Sequence, residues 1–235
     1  MIEIRNLAKR FGALEVLRGV TLSVGSGRVT GVVGPNGTGK TTLIKSLLGL
    51  TRPDGGDITI DGARVNGTDD YRARIGYMPQ IARFPENLTA RELFDMIREL
   101  RGDENVDEEL IELFRLREQF DKPLRVLSGG TKQKVNACLA MLFRPDILIL
   151  DEPTAGLDPL SSAILKDKIH AKRGEGATII ITSHIMAELE ELCDDVAFLL
   201  DGVVRFVGTV RDLKAATRQA NLERAIAALM IREVA

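Results

Sequence analysis

The segment Gly34 to Thr42, GPNGTGKTT, spaces two glycines, a lysine and a hydroxyl as G-x-x-x-x-G-K-[ST] through Gly34, Gly39, Lys40 and Thr41. Glycines at this spacing let backbone N–H groups turn inward around phosphate oxygens, and a helix starting just beyond adds the positive end of its dipole. Lys40 then neutralises β- and γ-phosphates, and the Thr41 hydroxyl is a ligand for Mg²⁺. A bare glycine turn has the same composition; the flanking runs VTGVVG and KTTLIKSLLGL, one strand-like and one helix-like, separate the two readings. The second pairing is Asp151 with Glu152, closing the apolar run ILIL. Such acids alone make a solvated turn or a helix cap. Beside a phosphate cradle, Asp151 becomes a carboxylate for Mg²⁺, and Glu152 stands where it could orient and deprotonate a water.

A third stretch, LSGGTKQK at 127 to 134, contains no obvious catalytic acid, base or metal ligand. Ser128 precedes Val135, Cys138, Leu139, Leu142 and Phe143, which share one helical face, so it reads as an N-cap with glycines easing the turn. The same geometry leaves N–H groups facing outward, an anion site on a segment remote from the first. Asp158 before Pro159 is likewise a good N-cap with proline at the first helical position. Phe11, Gln80 and His184 have ordinary readings as a core aromatic, a loop amide and a capped histidine at the start of a helix. Cys138 and Cys193 belong to no metal-ligand spacing.

Elements must position these groups. VTGVVG, DILIL and ATIIIT are strand-length apolar runs, each followed by a helix-like segment, which predicts a mostly parallel sheet covered on both faces, an α/β core. Residues 51 to 80 carry Gly/Asp turn signals between short strands and predict a small antiparallel piece. From 85 to 144 the reading is helical, opening on a Thr89/Glu92 capping box. VAFLLDGVVRFVG reads as a hairpin around Asp-Gly, and 216 to 235 as an amphipathic helix. The chain is therefore expected to be one domain, with 1–84 and 145–215 as the α/β core and 85–144 as an inserted helical part. Its 235 residues are 44% apolar, with 32 basic and 34 acidic side chains and a net charge of −2. No Lys/Arg block marks a nucleic-acid footprint, no nucleic-acid partner is expected, and no run has the ~20 apolar residues of a spanning helix. A cytoplasmic protein is the expectation.

In this order the motifs resemble the ATP-binding subunit of an ABC transporter over nearly the whole chain: KRFGALEVL, GPNGTGKTT, YMPQ, LSGGT, ILILDE, AGLD and TSH. The resemblance implies that Phe11 stacks on adenine with Val16 nearby, and that Gly34, Asn36, Gly37, Thr38, Gly39, Lys40, Thr41 and Thr42 hold the phosphates of ATP. It implies Thr41, Gln80 and Asp151 as Mg²⁺ ligands, Glu152 as general base, and His184 bonding the γ-phosphate and steadying Glu152, with Lys40 and Gln80 also catalytic. Ser128, Gly129, Gly130 and Asp158 would act in trans across a head-to-tail dimer of this or a closely similar subunit, docked through a separate permease on the inner face of the cell membrane. Phe11 replaces the family's usual tyrosine, and Thr131 its usual glutamine. A softer likeness, in PQIARFPENLTARELFDMIREL, LSGGTKQKVNACLAMLF and NLERAIAALM, is to the ATPase of the transporter that matures the copper site of nitrous oxide reductase. The competing expectation is a soluble ATPase of the same type acting on ribosomes or DNA. A GTPase would need Asn-Lys-x-Asp, and no Asn here precedes Lys.

Overall fold

The computed structural model describes residues 1–65, 70–103 and 105–234, with side chains as far as Arg232. Two long strands, Ile2–Phe11 (β1) and Leu14–Val24 (β2), lead into Val29–Val33 (β3), the glycine-rich loop and helix Lys40–Leu47 (α1). Gly55–Ile60 (β4), Ala63–Arg64 (β5) and Ile75–Met78 (β6) follow. Helices Ala90–Arg101 (α2), Glu109–Leu113 (α3) and Gly129–Met141 (α4) fill the next stretch. Then come Ile147–Asp151 (β7), Pro159–Gly174 (α5), Thr178–Thr182 (β8), Met186–Leu192 (α6), Asp195–Leu200 (β9) and Val203–Thr209 (β10). Val210–Thr217 (α7) and Leu222–Val234 (α8) close the chain.

The strands sort into two sheets, an antiparallel one in the order β2-β1-β4-β5 and a larger one in the order β10-β9-β3-β8-β7-β6. In the larger sheet all neighbours run parallel except β10 against β9. The fold is α/β. Side chains alternate across each parallel strand with the period of two that a pleat imposes. Ile147 and Ile149 of β7 join the cluster beneath the antiparallel sheet and α1, while Leu148 and Leu150 join the one beneath the helices. That two-sided burial is why these strands read as unbroken apolar runs.

Three boundaries differ from the sequence reading. Residues 51 to 80 do not stay in the antiparallel piece: β6 leaves it and pairs with β7 in register Ile75↔Ile147 to Met78↔Leu150. It is too short to show two-sided burial by pattern, and Gly76 is what lets α4 approach it, since a Cβ there would stand 1.9 Å from the Ala140 carbonyl oxygen. The antiparallel sheet draws its other strands from the N-terminus instead. At the other end, the expected helix is present as α8, but a further helix precedes it in the stretch assigned to the core, because Thr209 caps α7 by accepting from the Asp212 N–H and helix resumes at once after β10; Ala235 lies outside the described residues.

The helical stretch is fastened to α5 by a buried charge cluster. Asp107 Oδ2 lies 2.8 Å from Lys168 Nζ and 3.1 Å from Lys172 Nζ, with Lys168 also on Glu109 and Lys172 on Glu175 at 2.8 Å. Burial pushes the Asp107 carboxyl up, but hydrogen bonds from the two lysines and from the Glu109 N–H outweigh it and hold it at about 2. A depressed carboxyl stabilises the fold above its unfolded value, 3.8, and loses that contribution as pH falls toward 2. The shift corresponds to about 2 kcal/mol. Asp107→Asn removes the carboxylate that the two buried ammoniums share and leaves each only its exposed partner, Glu109 or Glu175; it is expected to cost about 2 kcal/mol near neutral pH. Denaturant titration from pH 7 to 2 checks this: the wild type loses its advantage over the variant across the acidic limb.

Candidate active site

The strand order puts four chain segments side by side. At their C-terminal ends β3, β8, β7 and β6 deliver, in that spatial order, the glycine-rich loop, Ser183–His184, Asp151–Glu152 and Pro79–Gln80. This is the edge at which parallel α/β sheets hold ligands. A cavity of about 390 Å³ elsewhere, at the opposite end of β7 and β8, is lined by Asp146, Ile147 and Thr178 and holds none of these groups. The cavity at the strand ends, about 660 Å³, is lined by Phe11, Leu14, Val16, Asn36, Gly37, Gly39, Lys40, Thr41, Thr42, Gln80, Asp151, Glu152 and His184.

The loop is shaped by glycine where close approach requires it. A Cβ on Gly34 would stand 2.1 Å from the Leu199 carbonyl oxygen, and one on Gly39, at φ +105°, 2.7 Å from Leu17 Cδ2. Gly34 and Thr38 therefore lie behind the cavity rather than in its wall, with the buried Thr38 hydroxyl donating to the Pro35 carbonyl at 2.9 Å. Lys40 Nζ donates to the carbonyls of Gly34 at 2.6 Å and Pro35 at 2.9 Å. Burial lowers its pKa against the raising influence of Glu152 and Asp151. Half-exposed Phe11 stands at the tip of the β1–β2 hairpin, paired with Leu14, its ring 5.3 Å from Lys9 Nζ.

Asp151 is buried and accepts from the Thr182 hydroxyl across the β7–β8 pair. Beside it burial raises Tyr77 to about 12. Glu152 has a left-handed backbone, φ +54°, immediately before Pro153. Its Oε1 lies 2.9 Å from His184 Nε2. Burial raises the Glu152 pKa, with His184 and Lys40 pulling the other way and Asp151 adding to the rise. His184 does not begin a helix as its sequence suggested. The Ser183 hydroxyl accepts from the Ile185 N–H at 3.0 Å, and α6 starts only at Met186, which leaves His184 in an exposed turn. Glu188 ties the acid-bearing and histidine-bearing segments together, accepting from Thr154 at 2.6 Å and lying 3.5 Å from Ser183.

Thr41, Asp151 and Gln80 offer a hydroxyl, a carboxylate and an amide oxygen in one cavity, hard oxygen donors that suit Mg²⁺. They form no all-protein cage, and among the described residues no cluster of acids, histidines and cysteines does. Mg²⁺ needs none, since it binds through one or two protein groups together with substrate phosphates. When bound it would supply charge neutralisation at the phosphates.

Ser128, Gly129, Gly130 and Asp158 do not line this cavity. Ser128 caps α4, accepting from the Thr131 N–H at 3.1 Å. Asp158 caps α5 through Ser161 and lies 3.2 Å from Lys134 Nζ. Sequence reasoning passed over Leu14, Thr182, Glu188, Gln133 and Asn136. For the last two a signal existed, amides three apart on a helix otherwise rich in small and apolar residues.

A phosphate loop between strand and helix, acids at the end of a neighbouring strand and a histidine against one of them define a P-loop nucleoside triphosphatase. A family model described as ABC transporter matches residues 17–155. Nod factor export ATP-binding protein I of Burkholderia lata is 37% identical over 207 residues, 86% of this chain and 68% of that protein. Its counterpart in Ralstonia nicotianae is 33% identical over 208 residues, with 65% of its length covered. Daunorubicin resistance ATP-binding protein DrrA3 of Streptomyces coeruleorubidus is 37% identical over 223 residues, 92% of this chain and 70% of that protein. The chain thus spans about two thirds of the length of these relatives. The solved ATP-binding subunit of an ABC transporter superposes with a TM-score of 0.92 at 32% identity, covering 98% of this chain and 99% of that one. A dimeric bacterial ABC transporter cassette shares the fold at a TM-score of 0.79 and 24% identity. The chain belongs to the ABC transporter family, whose ATPase cassette it forms.

Proposed function

We propose that this chain is the energy-coupling subunit of a transporter, hydrolysing ATP in a head-to-tail dimer to move a separate membrane permease. The observation that carries this reading is the convergence of the phosphate loop, His184, Asp151–Glu152 and Gln80 on one cavity at the strand ends. Phe11 and Val16 receive the adenine. Asn36 to Thr42 receive the phosphates, and Lys40 leaves the Gly34 and Pro35 carbonyls to neutralise them. Thr41, Asp151 and Gln80 hold Mg²⁺, and Glu152, steadied by His184, accepts a proton from the attacking water.

Gly129 supports the dimer. A Cβ there would meet nothing within 4 Å, and its φ is not left-handed, so neither packing nor backbone conformation inside the chain calls for glycine. Close approach of an outside group does, and the exposed helix start favours an anion. Ser128, Gly129 and Gly130 then contact the γ-phosphate held by the partner's loop, and Asp158 acts in trans at the seam between the two subunits.

No helix among the described residues is long and apolar enough to cross a membrane, so the permease is another chain or segment. Exposed Ile81, next to Gln80 in the chain, marks a docking surface there. The relatives' names, export of a Nod factor and resistance to daunorubicin, favour export of an organic compound. Copper or sulfur handling for nitrous oxide reductase is the other cargo reading, carried by the softer likeness in 79–100, 127–143 and 221–230. In both, the subunit works peripherally on the inner membrane face. Cross-linking from position 81 in membranes, with mass spectrometry, is expected to recover one polytopic membrane protein, whose gene neighbours separate the two cargoes. Recovery of ribosomal proteins or DNA instead would replace the transport reading.

A further inference from the structure

α4 crosses the ends of β6 and β7 along one line of residues, Gln133, Asn136 and Ala140, spaced as neighbours on a helical face. At Ala140 the contact is backbone against Gly76. Toward the Ser128 end the line turns polar yet stays buried: Asn136 is 3% exposed and Gln133 7%. Asn136 Nδ2 donates to the Pro79 carbonyl at 2.8 Å and to Gln133 Oε1 at 3.3 Å. Gln133 Nε2 donates in turn to the carbonyls of Glu152 and Pro153, both at 3.3 Å. Buried amides cost desolvation that apolar packing avoids, and these two use their bonds on three backbone carbonyls inside the catalytic segments. One of those carbonyls belongs to Glu152, whose left-handed φ of +54° before a proline persists only where neighbours hold it.

We infer that Asn136 and Gln133 are positioning residues for hydrolysis: they fix the Glu152 backbone and the segment carrying Gln80 to the helix headed by Ser128. The inference rests on the reading of Ser128 as a contact to the partner's nucleotide. A helix that docks on one ATP at its first turn and holds the base of the other site a turn and a half later transmits occupancy between the two. The groups lie in cis to Glu152 although the helix end they follow acts in trans.

The test uses the purified full chain with Asn136→Leu and Gln133→Met, which keep side-chain size and remove the amides. Misplacing a base by a fraction of an ångström to one ångström costs up to about 100-fold, so kcat is expected to fall by roughly 10- to 100-fold. KM for ATP and equilibrium ATP affinity should stay near wild type when assayed well below the Tm, which the carbonyls left without donors will lower by several degrees, and in a Glu152→Gln background ATP should still drive dimer formation. Wild-type kcat in both variants, or ATP affinity falling in step with kcat, overturns the assignment. Should Asn136→Leu prove unstable, Gln133→Met decides alone, because it leaves the Asn136 bond to Pro79 in place. Failure of Glu152→Gln itself to dimerise with ATP removes the trans reading, whereas the kcat comparison still judges the positioning role.

Discussion

Glu152→Gln is expected to lose turnover by about 10²- to 10⁴-fold in kcat, the usual worth of a positioned general base, while ATP binding survives and an ATP-bound dimer accumulates. The substitution is isosteric. It removes the basic oxygen but leaves an amide at the same 2.9 Å distance from His184 Nε2. Nothing in the phosphate loop changes, so affinity is retained. It also lifts a negative charge from a cavity that receives the polyphosphate, so the closed state becomes easier to populate. The electrostatics of the native residue favour its use as a base. Burial raises its pKa above an ordinary glutamate, moving it toward the pH at which a base both accepts and releases protons readily. The acid limb of the pH–rate profile should accordingly lie above that of an ordinary carboxylate. Steady-state phosphate release and size-exclusion chromatography with ATP check both halves. Wild-type turnover in the variant would take the base role away from Glu152.

Much of this arrangement was legible in the sequence because the phosphate loop and the acid pair are local. GPNGTGKTT contains its own turn, cradle and helix start, and ILILDE its own strand and acids. Ser128, Thr89 and Asp158 were recognisable as caps for the same reason, since a cap needs only the next three residues; all three accept from the N–H groups expected of them. What escaped depends on contacts between distant segments. β6 has four residues and no pattern of its own, and only pairing with β7, some seventy positions on, makes it part of the core. β1 and β2 alternate irregularly because their pairing is broken by register shifts near Leu7 and Lys9, so the pattern never settles. Glu188 and Asn136 look like surface polar residues until Thr154 and Pro79 arrive from elsewhere. The boundary of α7 was lost because a strand and a helix meet at one capping threonine with no loop between them.

Mixed dimers separate the two ends of the proposed site. Lys40→Ala removes the cation that now rests on the Gly34 and Pro35 carbonyls, and with it the main neutralising charge for the phosphates. Ser128→Arg places a bulky side chain at the exposed α4 start, outside the cavity that contains Lys40. Each substitution alone in both subunits should reduce hydrolysis at least about 100-fold, because each damages both sites of a two-fold dimer. A dimer with Lys40→Ala in one subunit and Ser128→Arg in the other concentrates the damage. The loop of the first and the signature of the second form one ruined site, and the remaining loop and signature form an intact one. Putting both substitutions in one subunit beside a wild-type partner instead spoils both sites. The expected result is therefore activity in the first arrangement and loss in the second, read by phosphate release from differentially tagged dimers. If Ser128 served its own chain's nucleotide, the ordering would reverse: the doubly substituted subunit would carry all the damage, its wild-type partner would remain active, and the singly substituted pair would be dead. The two geometries predict opposite rankings from the same four chains, so the comparison depends on no absolute rate.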